Sequence, residues 1–296
     1  MSEGLNRDYE VGDEIGRGRF GTVFRCFSRE TGEAFAVKSI DKSLLADPVD
    51  RACAEREAEL HLLAAEGNPH VVGIHDAYED GGSAHLVLDL CPGPDLFDRI
   101  SGGRAPLPEP EAAAVSAALA EAIAACHRRG VAHRDVKPDN VLFDARGRLR
   151  LADFGSAEWF GEGRAMRGVV GTPYYVAPEV LAGDEYGEKV DVWSAGVVLY
   201  MMLAGIPPFF GDSTAEIFAA VMRGNLRFPT RVFGSVSPAA KDLIRRMLCR
   251  DVSRRFSAEQ VLMHPWIRSG GVPEATSVEQ QSALDQNPLR RYIATA

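Results

Sequence analysis

His133 to Asn140 reads HRDVKPDN, and Leu151 to Gly155 reads LADFG. Asp135 is suited to accept, or at least orient, the proton of a substrate hydroxyl. Lys137, two residues on, can stabilise charge on a transferring phosphoryl group. Asn140 offers a hard oxygen ligand to Mg²⁺, and Asp153 supplies the main carboxylate for the same ion. Asp153 lies thirteen positions after Asn140. That span fits a hairpin, VLFDARGRLRLA, which would carry both ligands to one place. A coincidental polar turn could explain the first stretch alone, but not the pair at this spacing.

Upstream lies AVKSI, with Lys38 seventeen residues after Gly21 of IGRGRFGTV. Gly16, Gly18 and Gly21 are spaced as GxGxxG, which is a weak signal by itself. A strand pattern, TVFRCFS, follows. A dinucleotide-binding turn would open a helix instead, so the glycines read as a flexible flap between two strands. Glycines let backbone N–H groups approach phosphate oxygens with no Cβ in the way. A lysine on the strand after such a flap can reach the α and β phosphates of ATP. It then needs a carboxylate to hold it. Glu57 lies on the intervening helical stretch ACAEREAELHLLAAEG, and Leu60 and Ala64 continue its face. Glu55 and Glu59 lie on other faces of that helix.

Residues 9 to about 90 are strand-rich. YEVGDEI, TVFRCFS, AFAVKSI, VVGIHDAY and AHLVLDL all alternate apolar and polar positions. CPGP, Cys91 to Pro94, reads as a connector. From Glu111 the pattern turns helical, beginning with EAAAVSAALAEAIAACHRRG. The expectation is an α+β fold: a small sheet-rich lobe, then a larger helical lobe, with a ligand cleft near residues 88 to 95.

The chain has 296 residues, a net charge of −9 and 46% hydrophobic residues. That is enough for one large core or two lobes. The acidic balance argues against nucleic-acid and anionic-membrane binding. MSEGLNRDYEV has no hydrophobic leader, and Ser2 stands where an N-myristoyl site needs glycine. The longest apolar run, Ala195 to Phe210, is broken by Gly196, Gly205, Pro207 and Pro208, so it is expected as a buried core helix rather than a span. Cys26, Cys53, Cys91, Cys126 and Cys249 form no CxxC pair. Reduced thiols and a cytoplasmic location are expected.

Taken in order, GxGxxG, VK, HRDxKxxN, DFG, APE (Ala177 to Glu179) and DVWSAG (Asp191 to Gly196) resemble a eukaryotic protein kinase over residues 9 to 267. The resemblance implies a two-lobed kinase fold with an N-lobe at 9–90 and a C-lobe at 95–267, between an extension (1–8) and a tail (268–296). It implies ATP and Mg²⁺ as cofactors, with Lys38, Glu57, Asp135, Lys137 and Thr172 catalytic and Asn140 and Asp153 on the metal. ATP would lie under Ile15, Gly16, Gly18, Gly21 and Val23 of the flap. Ala36 and Lys38 would flank it on the next strand, and Leu88, Asp89 and Cys91 at the connector. Leu142 would lie beneath the adenine. Asp95 is open between a ribose contact, a solvated carboxylate, and recognition of a basic residue upstream of the phosphorylated serine. Asp191 would brace the catalytic loop, and Glu179 would pair with Arg255. Thr172 beside Asp135 and Lys137 is the serine/threonine pattern.

LVLDLCPGPDLFDRI and GVVGTPYYVAPEVL resemble the calcium-dependent plant kinases. The 29 residues after Ile267 contain no DxDxDG calcium loop. A catalytic part of this kind without a regulatory half resembles the phosphoenolpyruvate carboxylase kinases, SGGRAPLPEP (101–110) and the tail matching most loosely. This implies a calcium-independent monomer that phosphorylates a serine of phosphoenolpyruvate carboxylase and binds no calmodulin. The competing readings are a related kinase with another client and a pseudokinase scaffold. The second conflicts with the presence of Lys38, Asp135, Asn140 and Asp153.

One stretch sets a puzzle. AEWFGEGRAMRGVV, Ala157 to Val170, holds no serine, threonine or tyrosine between DFGS and GTPYYVAPE. Arg134 needs a negative group in this loop, and no phosphate can be installed there. Glu158 or Glu162 could serve as a permanent anion, or Trp159 and Phe160 could order the loop by packing. The enzyme is expected to be active as synthesised.

Overall fold

The computed structural model describes residues 2–18, 21–45, 47–101 and 106–272. Four stretches read above fall partly outside it, at Met1, the flap tip Arg19–Phe20, residues 102–105, and the tail from 273 onward. The N-terminal part holds α1 (Glu3–Asp8), β1 (Tyr9–Arg17), β2 (Gly21–Ser28), β3 (Ala34–Asp41), α2 (Pro48–Ala65), β4 (Ile74–Glu79) and β5 (Ser83–Asp89). The five strands form one antiparallel sheet in the order β1-β2-β3-β5-β4.

Two details differ from the sequence reading. Residues 1–8, expected only as an extension, include α1. Ser2 caps it, its hydroxyl accepting from Leu5 N at 3.2 Å. Leu5 is fully buried with Tyr9, Cys26, Phe35, Val37 and Val87, a small core on the outer face of the sheet. The strand read from VVGIHDAY begins only at Ile74. Val71 and Val72 are instead buried against the second lobe, where Val72 N donates to Leu151 O at 2.9 Å.

The larger lobe holds α3 (Leu96–Ile100), α4 (Glu109–Arg128), β6 (Val131–Ala132), β7 (Val141–Phe143), β8 (Leu149–Leu151), β9 (Glu158–Trp159), α5 (Pro178–Leu181), α6 (Lys189–Ala204), α7 (Thr214–Arg223), α8 (Thr230–Phe233), α9 (Pro238–Met247), α10 (Ala258–Leu262) and α11 (Pro265–Arg268). The expected two-lobed α+β architecture is present. Helix α6 is buried on nearly every face, through Trp193, Val197, Val198 and Leu199 among others. A helix apolar all round belongs at the centre of a lobe, and α4 and α9 pack on it. It stops at Gly205, whose φ of 68° is a left-handed cap, so the apolar run leaves the helix there. Among the described residues no helix is long and apolar enough to cross a membrane.

One core runs through this lobe and reaches up to Leu60 and Ala64 of α2. That continuity matters for the site. It seats α2 against α4, β6 and β9 of the larger lobe, rather than leaving it on the sheet alone.

Candidate active site

The sheet's register gathers the residues expected around ATP. Val23 pairs with Lys38, and Ala36 pairs with Leu88. Side chains alternate along a strand, so Val23, Ala36, Lys38 and Leu88 share one face. Ile15 is exposed on β1. Of the three flap glycines, only Gly21 is sterically required in this arrangement. A Cβ there would lie 2.2 Å from the Ser39 carbonyl oxygen, whereas Gly16 and Gly18 have ordinary room.

Lys38 and its partners form the first polar cluster. Lys38 Nζ donates to Glu57 Oε1 and to Asp153 Oδ1, both at 2.6 Å. Glu57 is buried on α2, while Glu55 and Glu59 are exposed. Burial alone would lower the Lys38 ammonium, but the charges of Asp153 and Glu57 outweigh it and hold the pKa above lysine's ordinary value. Lys38 in turn pushes the Asp153 carboxyl well below the usual carboxylate range. Glu57 moves the other way, because burial outweighs its bond to Lys38.

The second cluster sits on the loop between β6 and β7. Its anchor is Asp191 of α6, a buried carboxylate. It accepts from His133 N at 2.9 Å, Arg134 N at 2.8 Å and His127 Nε2 at 2.8 Å. Burial opposes its charge, yet these bonds and the histidines keep its pKa lowered. The bracing holds Arg134 at φ 65°, and Asp153 sits at φ 63°. Left-handed conformations at such residues cost about 1–3 kcal/mol and persist where the surroundings impose them.

The reacting groups converge next. Asp135 Oδ1 accepts from Thr172 N at 2.9 Å and Thr172 Oγ1 at 2.8 Å. Lys137 Nζ donates to Asp135 Oδ2 at 2.7 Å and to Thr172 Oγ1 at 3.1 Å. Gly171 permits this approach: its φ is +103°, and a Cβ would lie 2.8 Å from the Arg134 carbonyl oxygen. Asn140 Nδ2 donates to the Asp135 carbonyl at 2.9 Å, and Ala152 N donates to the Asn140 carbonyl at 2.9 Å. With β7 and β8 paired, the expected hairpin draws the Asn140 and Asp153 ends of the loop together.

The donor set fits Mg²⁺. The nitrogen of the Asn140 amide is committed to Asp135, which leaves its oxygen for a hard cation, and the Asp153 carboxylate is kept ionised. Among the described residues no group of three His, Cys, Asp or Glu side chains could hold a metal. A sparse protein set suits an ion that keeps waters and takes substrate phosphates as ligands.

At the connector, the side chains of Asp89 and Asp95 both have partners within the chain. The Asp89 carboxylate accepts from Gly73 N and bonds His75 Nε2, both at 2.8 Å, so a ligand contact by Asp89 would come from its main chain. Asp95 caps α3, its Oδ1 accepting from Asp98 N at 2.8 Å. Burial and the nearby charges of Asp98 and Asp139 raise its pKa despite that bond. The Cys91 thiol is pushed up to about 11, mainly by burial. Leu142 is half-buried on β7.

The roles of His61 and Arg56 were not read from the sequence. His61 of α2 stacks on Phe154 with 4.7 Å between ring centroids, and Phe154 meets His133 edge-on at 4.8 Å. Arg56, beside Glu57, donates from Nη1 to Glu158 Oε1 at 2.5 Å, and Arg134 Nη2 lies 3.6 Å from Glu158 Oε2. Helical spacing on α2 points to the inward face but cannot say what meets it. The loop puzzle is thereby answered in geometry. Glu158 faces the two arginines, Trp159 and Phe160 pack on the main core, and Glu162 is exposed. The expected Glu179–Arg255 pair is also present, with contacts of 2.5 and 2.8 Å.

The family model described as "Protein kinase domain" matches residues 9–267. "Calcium-dependent protein kinase 10" of Oryza sativa subsp. japonica is 43% identical over 274 residues, 92% of this chain and 45% of the relative. "Calcium-dependent protein kinase 21" of Arabidopsis thaliana is 42% identical over 92% of this chain and 51% of its own length. "Calcium-dependent protein kinase 2" of the same plant is 44% identical, over 92% and 42%. The chain thus spans about half the length of the curated relatives it matches.

Proposed function

The chain belongs to the protein kinase family, with a catalytic domain of the serine/threonine type, and from that premise we propose that it transfers the γ-phosphate of ATP to a serine of phosphoenolpyruvate carboxylase without needing calcium. The observation that carries the reading is the triangle Asp135–Lys137–Thr172, with every edge a hydrogen bond. In this reading Asp135 orients the client hydroxyl and takes up its proton as the phosphoryl group arrives. Lys137 faces the charge of that group. Thr172 holds the Asp135 carboxylate in one orientation.

Lys38, fixed by Glu57, draws the ATP phosphates under the glycine flap, while Val23, Ala36, Leu88 and Leu142 enclose the adenine. Asn140 and Asp153 would hold Mg²⁺, which neutralises the phosphates when bound. Asp95 would meet a basic residue of the client. Burial raises the pKa of this half-buried carboxyl, and a cation nearby would offset that cost, which supports the reading.

The choice of client rests on the sequence resemblance to phosphoenolpyruvate carboxylase kinases. Radiolabel transfer from ATP to purified carboxylase, intact or lacking its N-terminal serine, tests it. Transfer to the intact protein and none to the truncated one is the expected result. Equal labelling of both, or labelling of a basic peptide but not the carboxylase, would assign another client. A calcium-dependent kinase is the second reading, favoured by the names of the relatives. Repeating the assay with calcium and with chelator separates the two.

A further inference from the structure

The face of the sheet opposite Lys38 is covered by the chain's own first residues. Side chains alternate along β3, so Phe35, Val37 and Ser39 point away from Ala36 and Lys38. Leu5 of α1 is fully buried with Phe35, Val37 and Val87. A helix of 6 residues does not persist alone in water, so α1 stands on its contacts. Gly4 lets it lie close to Tyr78, since a Cβ there would come 3.1 Å from the ring. Tyr78 Oη donates to Asp8 Oδ2 at 2.9 Å, and Arg29 N donates to the Asp8 carbonyl at 3.0 Å.

The other end of α1 rests on a buried histidine. Ser2, the cap, donates from its backbone N to His85 Nε2 at 3.4 Å. That nitrogen is then the acceptor of the ring, which leaves the proton on Nδ1. Nδ1 lies 2.8 Å from Ser39 Oγ and donates to it. Burial, then Lys42 and the terminal ammonium, keep the His85 pKa below its ordinary value, against the pull of Asp80, whose Oδ2 lies 3.5 Å from Nε2. Ser39 completes the path to the site. It follows Lys38 on β3, and its carbonyl oxygen is the atom against which Gly21 of the flap packs.

We infer that α1 is a positioning segment that seats β3 from behind, through Leu5 and the relay Ser2–His85–Ser39, so that Lys38 meets the ATP phosphates, and that a proton on His85 unseats it. A charged ring has no lone pair left to accept from Ser2 N. The docked state needs the neutral ring. Docking therefore keeps its full strength above pH 6.5, where an undocked His85 is neutral as well, and weakens as pH falls below that value. The inference rests on Lys38 being the lysine that meets ATP, as proposed above.

The test uses the full chain and the variants L5A, S2A and H85Q. H85Q keeps an acceptor for Ser2 N without a titratable ring. Mg·ATP affinity is measured between about pH 7.5 and 5.5, together with amide hydrogen exchange of residues 2–8 and 34–41. L5A should raise exchange in both segments. It should weaken Mg·ATP binding by roughly three- to tenfold, the loss expected when about a tenth to a third of the chains keep Lys38 seated. S2A removes the cap and should act in the same direction by less. The KM for a peptide substrate should stay unchanged in both, which a general loosening of the chain would not give. As pH falls, affinity should decline more steeply in the unaltered chain than in H85Q, the titration of ATP itself being common to both. Unaltered ATP affinity in an L5A chain whose α1 exchanges freely would overturn the inference, and so would parallel pH curves for the unaltered chain and H85Q. S2A carries the same comparison if L5A folds poorly. An unaltered chain that binds no Mg·ATP would refute the role given to Lys38, while exchange at residues 34–41 still judges the seat.

Discussion

His61 lies flat on Phe154, with 22° between the ring planes, and its Nε2 donates to the Val72 carbonyl at 2.7 Å. This places a titratable ring inside the contact between α2 and the DFG segment. Burial lowers its pKa from 6.5 to about 4. The folded chain therefore keeps His61 neutral, while below pH 6.5 the unfolded chain takes up a proton the folded chain refuses. Stability is retained above 6.5 and lost as pH falls toward 4, by about 3 kcal/mol in all. H61L should flatten that part of the stability curve in urea titrations run from pH 7.5 to 4. An acid limb as steep as that of the unaltered chain would show that other groups set it.

In the proposed function, Asp135 and Lys137 flank the place where the client hydroxyl arrives. D135N should lower phosphoryl transfer by roughly 10²-fold or more, the contribution of a positioned acid–base group, while leaving ATP affinity nearly intact. Steady-state kinetics with a parallel nucleotide titration measure both. Near-normal turnover would remove Asp135 from its role.

For the metal, D153A should abolish productive Mg·ATP binding. It removes the ionised carboxylate held by Lys38 and leaves the phosphates without their neutralising ion. ATP affinity with and without Mg²⁺ is the measurement. A variant whose affinity rises with Mg²⁺ as much as the unaltered chain's would show that Asp153 is not a ligand.

Arg255 is fully buried and its guanidinium meets both oxygens of Glu179. Breaking such a pair from one side strands the other charge. R255M should destabilise the chain by about 3–5 kcal/mol, and adding E179Q should recover part of that. Urea midpoints decide it. Equal stability of R255M and the unaltered chain would make the pair dispensable.

The parts legible from the residues themselves were those whose partners lie close along the chain, whereas distant pairs such as Glu179–Arg255 came from the family resemblance. HRDVKPDN and LADFG share one hairpin, so Asn140 and Asp153 could be brought together on spacing alone. Helical spacing sufficed to prefer Glu57 over Glu55 and Glu59. Legibility ended where meaning depends on a distant surface. His61 and Arg56 are ordinary helix residues until Phe154 and Glu158, about a hundred positions away, pack against α2. The choice between Glu158 and Glu162 turned on a two-residue strand pairing, too short to show as periodicity. Helix α1 has one fully buried residue, Leu5. It depends on the sheet beneath it rather than on its own pattern.

Client recognition gives a further expectation. D95A should weaken a peptide with Arg or Lys three residues before the serine by about 1.5–3 kcal/mol, the value of a partly buried charge-assisted pair. Because Asp95 also caps α3, the comparison peptide lacking that basic residue is the control. Equal losses for both peptides would assign Asp95 to folding or to ATP.

In the proposed function the site needs neither an activating phosphate nor calcium. This is tested most directly on protein made in a bacterial host, treated with phosphatase and assayed for transfer to phosphoenolpyruvate carboxylase in excess calcium chelator. The full rate is expected, unchanged by adding calcium or an upstream kinase. An inactive protein that either addition rescues would contradict it.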